Sequence, residues 1–145
     1  MKINIASTLL LLASFVFWGC TEKTDEDIIS EDLNAYATAY FNWDFPSANN
    51  NASADATKWL EFLSSQLTER DMSAIKTKDE LAYVEIENIN INTNENTAKA
   101  TIIVTNFLCM DSIGKTPQCC NEAKFEVNAK KKKETWKFDR PQRIK

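Results

Sequence analysis

Cysteine carries most of the reactive chemistry open to this chain. Four are present, Cys20, Cys109, Cys119 and Cys120, and there is no histidine anywhere. A zinc centre on Cys109, Cys119 and Cys120 would lack a fourth ligand, so no metal site is expected. No Cys-x-x-Cys spacing occurs, which removes the usual dithiol redox motif. What remains is pairing, and an odd number of thiols beyond Cys20 leaves one over.

Cys20 stands apart because of what precedes it. Met1-Lys2 gives a positive end, and residues 3 to 18 are almost uncharged and apolar, with a leucine block at 9 to 12. That is the layout of a signal peptide. The run is marginal for spanning a bilayer core of about 30 Å, and no basic stop-transfer cluster follows it. Phe17-Trp18-Gly19-Cys20 resembles a lipobox of the relaxed kind typical of Bacteroidetes. The resemblance implies that residues 1 to 19 are removed and that Cys20 is the lipid-bearing first residue of the mature protein. The acidic cluster Glu22, Asp25, Glu26 and Asp27 resembles a surface-export signal of such lipoproteins; as plain polymer it reads as a charged tether over residues 20 to 29. The expected location is the bacterial envelope, anchored to the outer membrane at its periplasmic face or at the cell surface. Disulfides are permitted there.

With the leader removed, 16 basic residues face 21 acidic ones, and the length fits one domain, over residues 30 to 145. The charge is lopsided: residues 22 to 32 are acidic, whereas residues 124 to 145 hold nine bases, among them Lys130, Lys131, Lys132 and Lys133. An exported, lipid-anchored protein meets no chromosome, so nucleic acid is not an expected partner, and a lysine run is usually a solvated turn.

The elements that must position these residues are legible from periodicity. From Ser30, taken as an N-cap, Leu33, Tyr36, Ala37, Tyr40 and Phe41 recur at helical spacing, ending before Pro46. A polar loop precedes a second helical region carrying Trp59, Leu60, Phe62, Leu63 and Leu67, with a break at the capping-box pair Thr68 and Asp71. From residue 81 the period becomes two, which predicts four strands, at residues 81 to 92, 97 to 110 and 119 to 129, and a last one carrying Trp136 and Phe138 that stops at Pro141. Val84 and Ile86 lie on one parity and Ile89 and Ile91 on the other, which predicts a β-bulge near Glu87-Asn88.

An antiparallel meander keeps every apolar face together, setting Ile91 against Ala98, Ile102 against Val127 and Val127 against Trp136. In that register Cys109 stands opposite Cys120 on the outer face, the preferred disulfide, with Cys119 pointing inward; a one-residue shift would favour Cys109 with Cys119. The fold class is α+β, N-terminal helices on a curved four-stranded antiparallel sheet.

The order helix, helical region and bent sheet ending in Trp136-Lys137-Phe138-Asp139, with an opening helix followed by Asn42-Trp43-Asp44-Phe45, is similar to the nuclear transport factor 2-like fold. The resemblance implies a cone whose aromatics, Tyr36, Tyr40, Trp59, Phe125 and Trp136 among them, line a pocket for a small ligand or fill a core. Enzymes of that superfamily use Asp or His with Tyr inside the cone; here only Asp44 and Tyr40 could serve, and a helix-end carboxylate and a core tyrosine are the expected reading. Asp111-Ser112-Ile113 resembles the short motif at which Bacteroides species O-glycosylate exported proteins, which makes Ser112 a candidate. The expected function is a non-enzymatic, lipid-anchored binding or interaction module without a cofactor, its partner an envelope protein, a glycan or a small apolar ligand. The alternatives are a structural subunit of an envelope assembly or a small cone-pocket enzyme.

Overall fold

The computed structural model describes residues 21–109 and 115–145, so Cys20, Ser112 and the leader segment lie outside the described residues. Helix α1 (Asp25–Phe41) starts at Asp25, five residues before Ser30. Thr24 is its N-cap: the Thr24 hydroxyl accepts from Asp27 N at 3.2 Å and Thr24 N donates to Asp27 Oδ2 at 3.1 Å, a complete capping box. Acidic residues in the first turn also suit the positive end of the helix dipole. Much of the stretch expected to be a tether is thus ordered helix, and Ile29 is fully buried.

The end of α1 is a Schellman motif. Asp44 N donates to Ala39 O at 2.9 Å and Trp43 N to Tyr40 O at 3.1 Å, closing the last carbonyls. Trp43 occupies the left-handed position of that motif, with φ of 59°. Where a loop was expected, a short helix α2 (Phe45–Asn49) follows, because Asp44 caps it through Ser47 N and Pro46 sits in its first turn, where no N–H is needed. Helix α3 (Ala54–Gln66) is capped by Ser53, and α4 (Glu69–Lys76) by the expected box of Thr68 and Asp71. Among the described residues no helix is long and apolar enough to cross a membrane.

The sheet has five strands: β1 (Tyr83–Asn92), β2 (Thr97–Cys109), β3 (Gln118–Lys132), β4 (Thr135–Phe138) and β5 (Gln142–Ile144). The first four form the antiparallel meander, and β5 pairs with β3 further along the edge that β4 occupies. The chain therefore does not stop pairing at Pro141. Between β1 and β2 the register is the expected one, including the shift between Ile86 and Asn88. Between β2 and β3 it is displaced by two residues, with Ala100 opposite Val127 and Ile102 opposite Phe125. Between β3 and β4 the displacement is four, because β3 runs on to Lys132 and turns through Lys133, at φ of 58°, and Glu134. Even displacements leave every face as it was.

The core lies between the sheet and α1. Tyr36 stacks on Phe138 at 5.5 Å, and Phe41 meets Phe125 at 4.7 Å and Phe107 at 5.5 Å. Far from solvating the whole lysine run, the fold draws Lys131 back to α1, where its Nζ lies 2.9 Å from Asp25 Oδ1. Trp136 Nε1 donates to the same oxygen at 3.4 Å.

Candidate aromatic cavity

Asn106 decides what the end of β2 near Cys109 offers. Its φ of 56° breaks the alternation of β2, and the pairing of β2 with β3 skips it. The break is held by Asn106 Nδ2 donating to Glu80 O at 3.1 Å. Beyond it Phe107, an odd position, packs against Phe41 and Phe125 on the inner face, where the even positions pointed before, and Phe107, Leu108 and Cys109 are all buried. Cys120 stands opposite Phe107, on that same face, and Cys109 stands opposite Gln118. The disulfide Cys109–Cys120 is therefore a diagonal bridge with Cα atoms 6.0 Å apart, on the inner face rather than the outer. Cys119 is correspondingly turned out: it is exposed and free, its Sγ donating to Asn106 Oδ1 at 3.3 Å, instead of pointing inward.

The end of α1, together with α2 and α3, covers this part of the sheet and leaves a cavity of about 240 Å³. Tyr40, Phe41, Trp43 and Phe45 come from the end of α1 and the start of α2, Trp59 and Leu63 from α3, Phe107, Leu108 and Cys109 from β2, Phe125 from β3, and Pro141 and Arg143 from the C-terminal segment. Of the expected pocket aromatics, Tyr40, Trp59 and Phe125 line it. Tyr36 and Trp136 do not; each is 1% exposed and belongs to the packed core below.

The polar groups at the cavity are few and specific. Trp59 Nε1 donates to Tyr40 Oη at 3.0 Å. Burial pushes the Tyr40 phenol up, only partly opposed by that hydrogen bond and by the charge of Arg140, so it stays protonated at neutral pH. Arg140 lies over the Trp59 ring at 4.4 Å, a cation–π contact. Tyr36 is pushed up still further, by burial first, and its hydroxyl donates to Asp139 O at 3.2 Å. Asp44, the one acid with a conceivable pocket role, is exposed, caps α2 through Ser47 N at 3.3 Å and is not among the lining residues. No group of three or more metal-binding side chains occurs among the described residues.

Trp43 is the unusual member of the wall. A left-handed conformation at a bulky non-glycine residue costs about 1–2 kcal/mol and persists only where surrounding structure enforces it. Here the Schellman hydrogen bonds on one side and burial of the indole on the other do so.

The sequence-based expectation missed the rest of the lining, Phe107, Pro141 and Arg143 among it. Asn106, a turn-prone residue inside an apolar strand, was the available signal for the first. Pro141 itself read as a stop, and Arg143 lies beyond it.

No family model matches the chain, and no curated protein matches it. A solved structure of the TraE protein in complex with 2-(2-furyl)isonicotinic acid is similar in fold, with a TM-score of 0.50 at 12% identity, over 86% of this chain and 98% of that one. The likeness is one of architecture, a mixed α+β fold with N-terminal helices and an antiparallel sheet.

Proposed function

We propose that this protein is a lipid-anchored envelope lipoprotein of the nuclear transport factor 2-like type, and that its domain is a non-enzymatic binding module with the aromatic cavity as its ligand site. The observation that carries the proposal is the cavity itself: a partly open, aromatic-walled space with a small number of fixed polar groups is the usual form of a small-molecule site. Trp43 adds to it, since backbone strain tends to be kept where a site needs it. Binding is favoured over catalysis because, among the described residues, the lining holds a phenol that keeps its proton and no carboxylate to act as base. The lipid anchor rests on Cys20 and the apolar leader before it.

The cavity is tested with N-phenyl-1-naphthylamine, a neutral apolar fluorophore. Saturable binding is expected, with loss of binding in Leu63→Trp, which fills the space; no binding, or binding unaffected by that substitution, would sink the proposal. The anchor is tested by feeding cells labelled palmitate: the wild type should carry label and Cys20→Ala should not.

A second reading, a subunit of an envelope assembly, is favoured by one feature. Leu81, two residues before β1, and Tyr83, its first residue, are 72% and 65% exposed beside the edge of β1 that has no strand partner among the described residues. Crosslinking in intact cells that captures a discrete partner, and loses it in Leu81→Asp, would support that reading.

A further inference from the structure

The cavity carries charge as well as aromatic surface. Arg143 on β5 stands opposite Phe125 on β3, so the two side chains leave the same face of the sheet, and both line the cavity. Among the described residues none of the four salt bridges uses Arg143, and no acidic residue lines the space. The neighbouring carboxylate of Asp139 is engaged elsewhere, accepting from Ser53 Oγ at 2.6 Å.

At the helix side of the cavity Tyr40 Oη is already an acceptor for Trp59 Nε1, which leaves its own proton to be given to a ligand. Burial keeps that proton in place. Arg140, held over Trp59, adds a second positive charge close by. Among the described residues the other lining side chains are hydrocarbon and ring, apart from the Trp43 indole and the disulfide sulfur of Cys109. A guanidinium fork matches the two oxygens of a carboxylate, and a phenol proton suits either of them. Two such donors in an otherwise apolar wall suit one carboxylate better than a phosphate, which presents more charge and more acceptors.

We propose that the cavity binds a small amphipathic organic acid, its apolar body among Phe41, Trp43, Phe107 and Phe125 and its carboxylate on the Arg143 guanidinium and the Tyr40 hydroxyl. This rests on the cavity being the ligand site. A charge-assisted hydrogen bond in such a setting is worth roughly ten- to a hundredfold in affinity.

The test uses the processed full-length protein and two probes that differ only in charge, 4-phenylbutyrate and 4-phenylbutyramide, titrated by calorimetry at pH 7. The acid should bind at least about tenfold more tightly than the amide. Arg143→Gln should bring the acid down to the amide's affinity, Arg143→Lys should keep part of the preference, and Tyr40→Phe should weaken the acid several-fold. Arg143 is exposed, so these variants should fold, and circular dichroism checks that they do. Equal binding of acid and amide would overturn the carboxylate proposal while leaving the cavity as a ligand site. A preference that survives Arg143→Gln would overturn it too. If acid, amide and N-phenyl-1-naphthylamine all fail to bind, the cavity reading itself falls and takes this proposal with it.

Discussion

Replacing Trp43 should reverse the usual order of alanine and glycine. Both Trp43→Ala and Trp43→Gly remove the same indole, so the loss of packing is nearly common to the two and cancels in their comparison. What differs is the backbone at φ of 59°. Alanine there meets the steric cost of the left-handed region, about 1–2 kcal/mol, and glycine does not. Glycine's looser unfolded chain returns about 0.4–1 kcal/mol of that difference. The net expectation is that the glycine variant is more stable by about 1 kcal/mol. At an ordinary helical position alanine would lead by a similar amount. Urea unfolding followed by circular dichroism gives the comparison, provided the two variants share a slope so that midpoints report stability. An alanine variant as stable as the glycine variant would refute the strained Schellman geometry, and with it one support for the cavity as a functional site.

Replacing Cys109 and Cys120 together by alanine opens a crosslink of sequence separation 11, which should cost about 3 kcal/mol from chain entropy; in the unreduced wild type, alkylation followed by peptide mapping should label Cys119 and leave Cys109 and Cys120 joined. Asn42→Ala removes a side chain that accepts from Ala82 N at 2.9 Å and donates to Ala82 O at 3.2 Å, tying α1 to the entry of β1, and should lower stability by about 1–3 kcal/mol in urea unfolding. The Lys131 hydrogen bond holds the Asp25 carboxyl below its ordinary value, and Asp25 holds Lys131 above its own. The pair's contribution is thus present above about pH 4 and lost as pH falls through the lowered carboxyl value, and present below about pH 10 and lost as pH rises through the raised lysine value. Asp25→Asn should therefore lower the urea midpoint at pH 7, with the gap from wild type closing toward pH 2.

Side-chain alternation determined which residues face the core but not how far each strand slides. The even slips at β2 to β3 and β3 to β4 left Ile102, Val104, Phe125, Val127, Trp136 and Phe138 on the inner face, because burial constrains register only in steps of two. The absolute register depends on turns, and Lys133-Glu134 lacks the Asn-Gly or Asp-Gly signature that would have announced a two-residue hairpin. The disulfide partners were legible although the register was not, since an even slip keeps Cys109 and Cys120 on one face; the break at Asn106 decides only that this face is the inner one. The start of α1 was misplaced because its acidic opening reads equally as a solvated tether, and only the Thr24–Asp27 box and the Lys131 contact distinguish the two. The charged part of the cavity was hidden for a related reason: β5 is three residues long, too short for a periodic signal, and its Arg143 is brought to Phe125 by a pairing that no local pattern encodes.

The cavity as a ligand site is tested most directly by the indole nitrogen resonances of the processed protein during titration with 4-phenylbutyrate. Trp43 and Trp59 line the cavity, whereas Trp136 is buried outside it with its Nε1 on Asp25. The account predicts saturable shifts of the Trp43 and Trp59 signals with the Trp136 signal still; shifts confined to Trp136, or none at all, would contradict it.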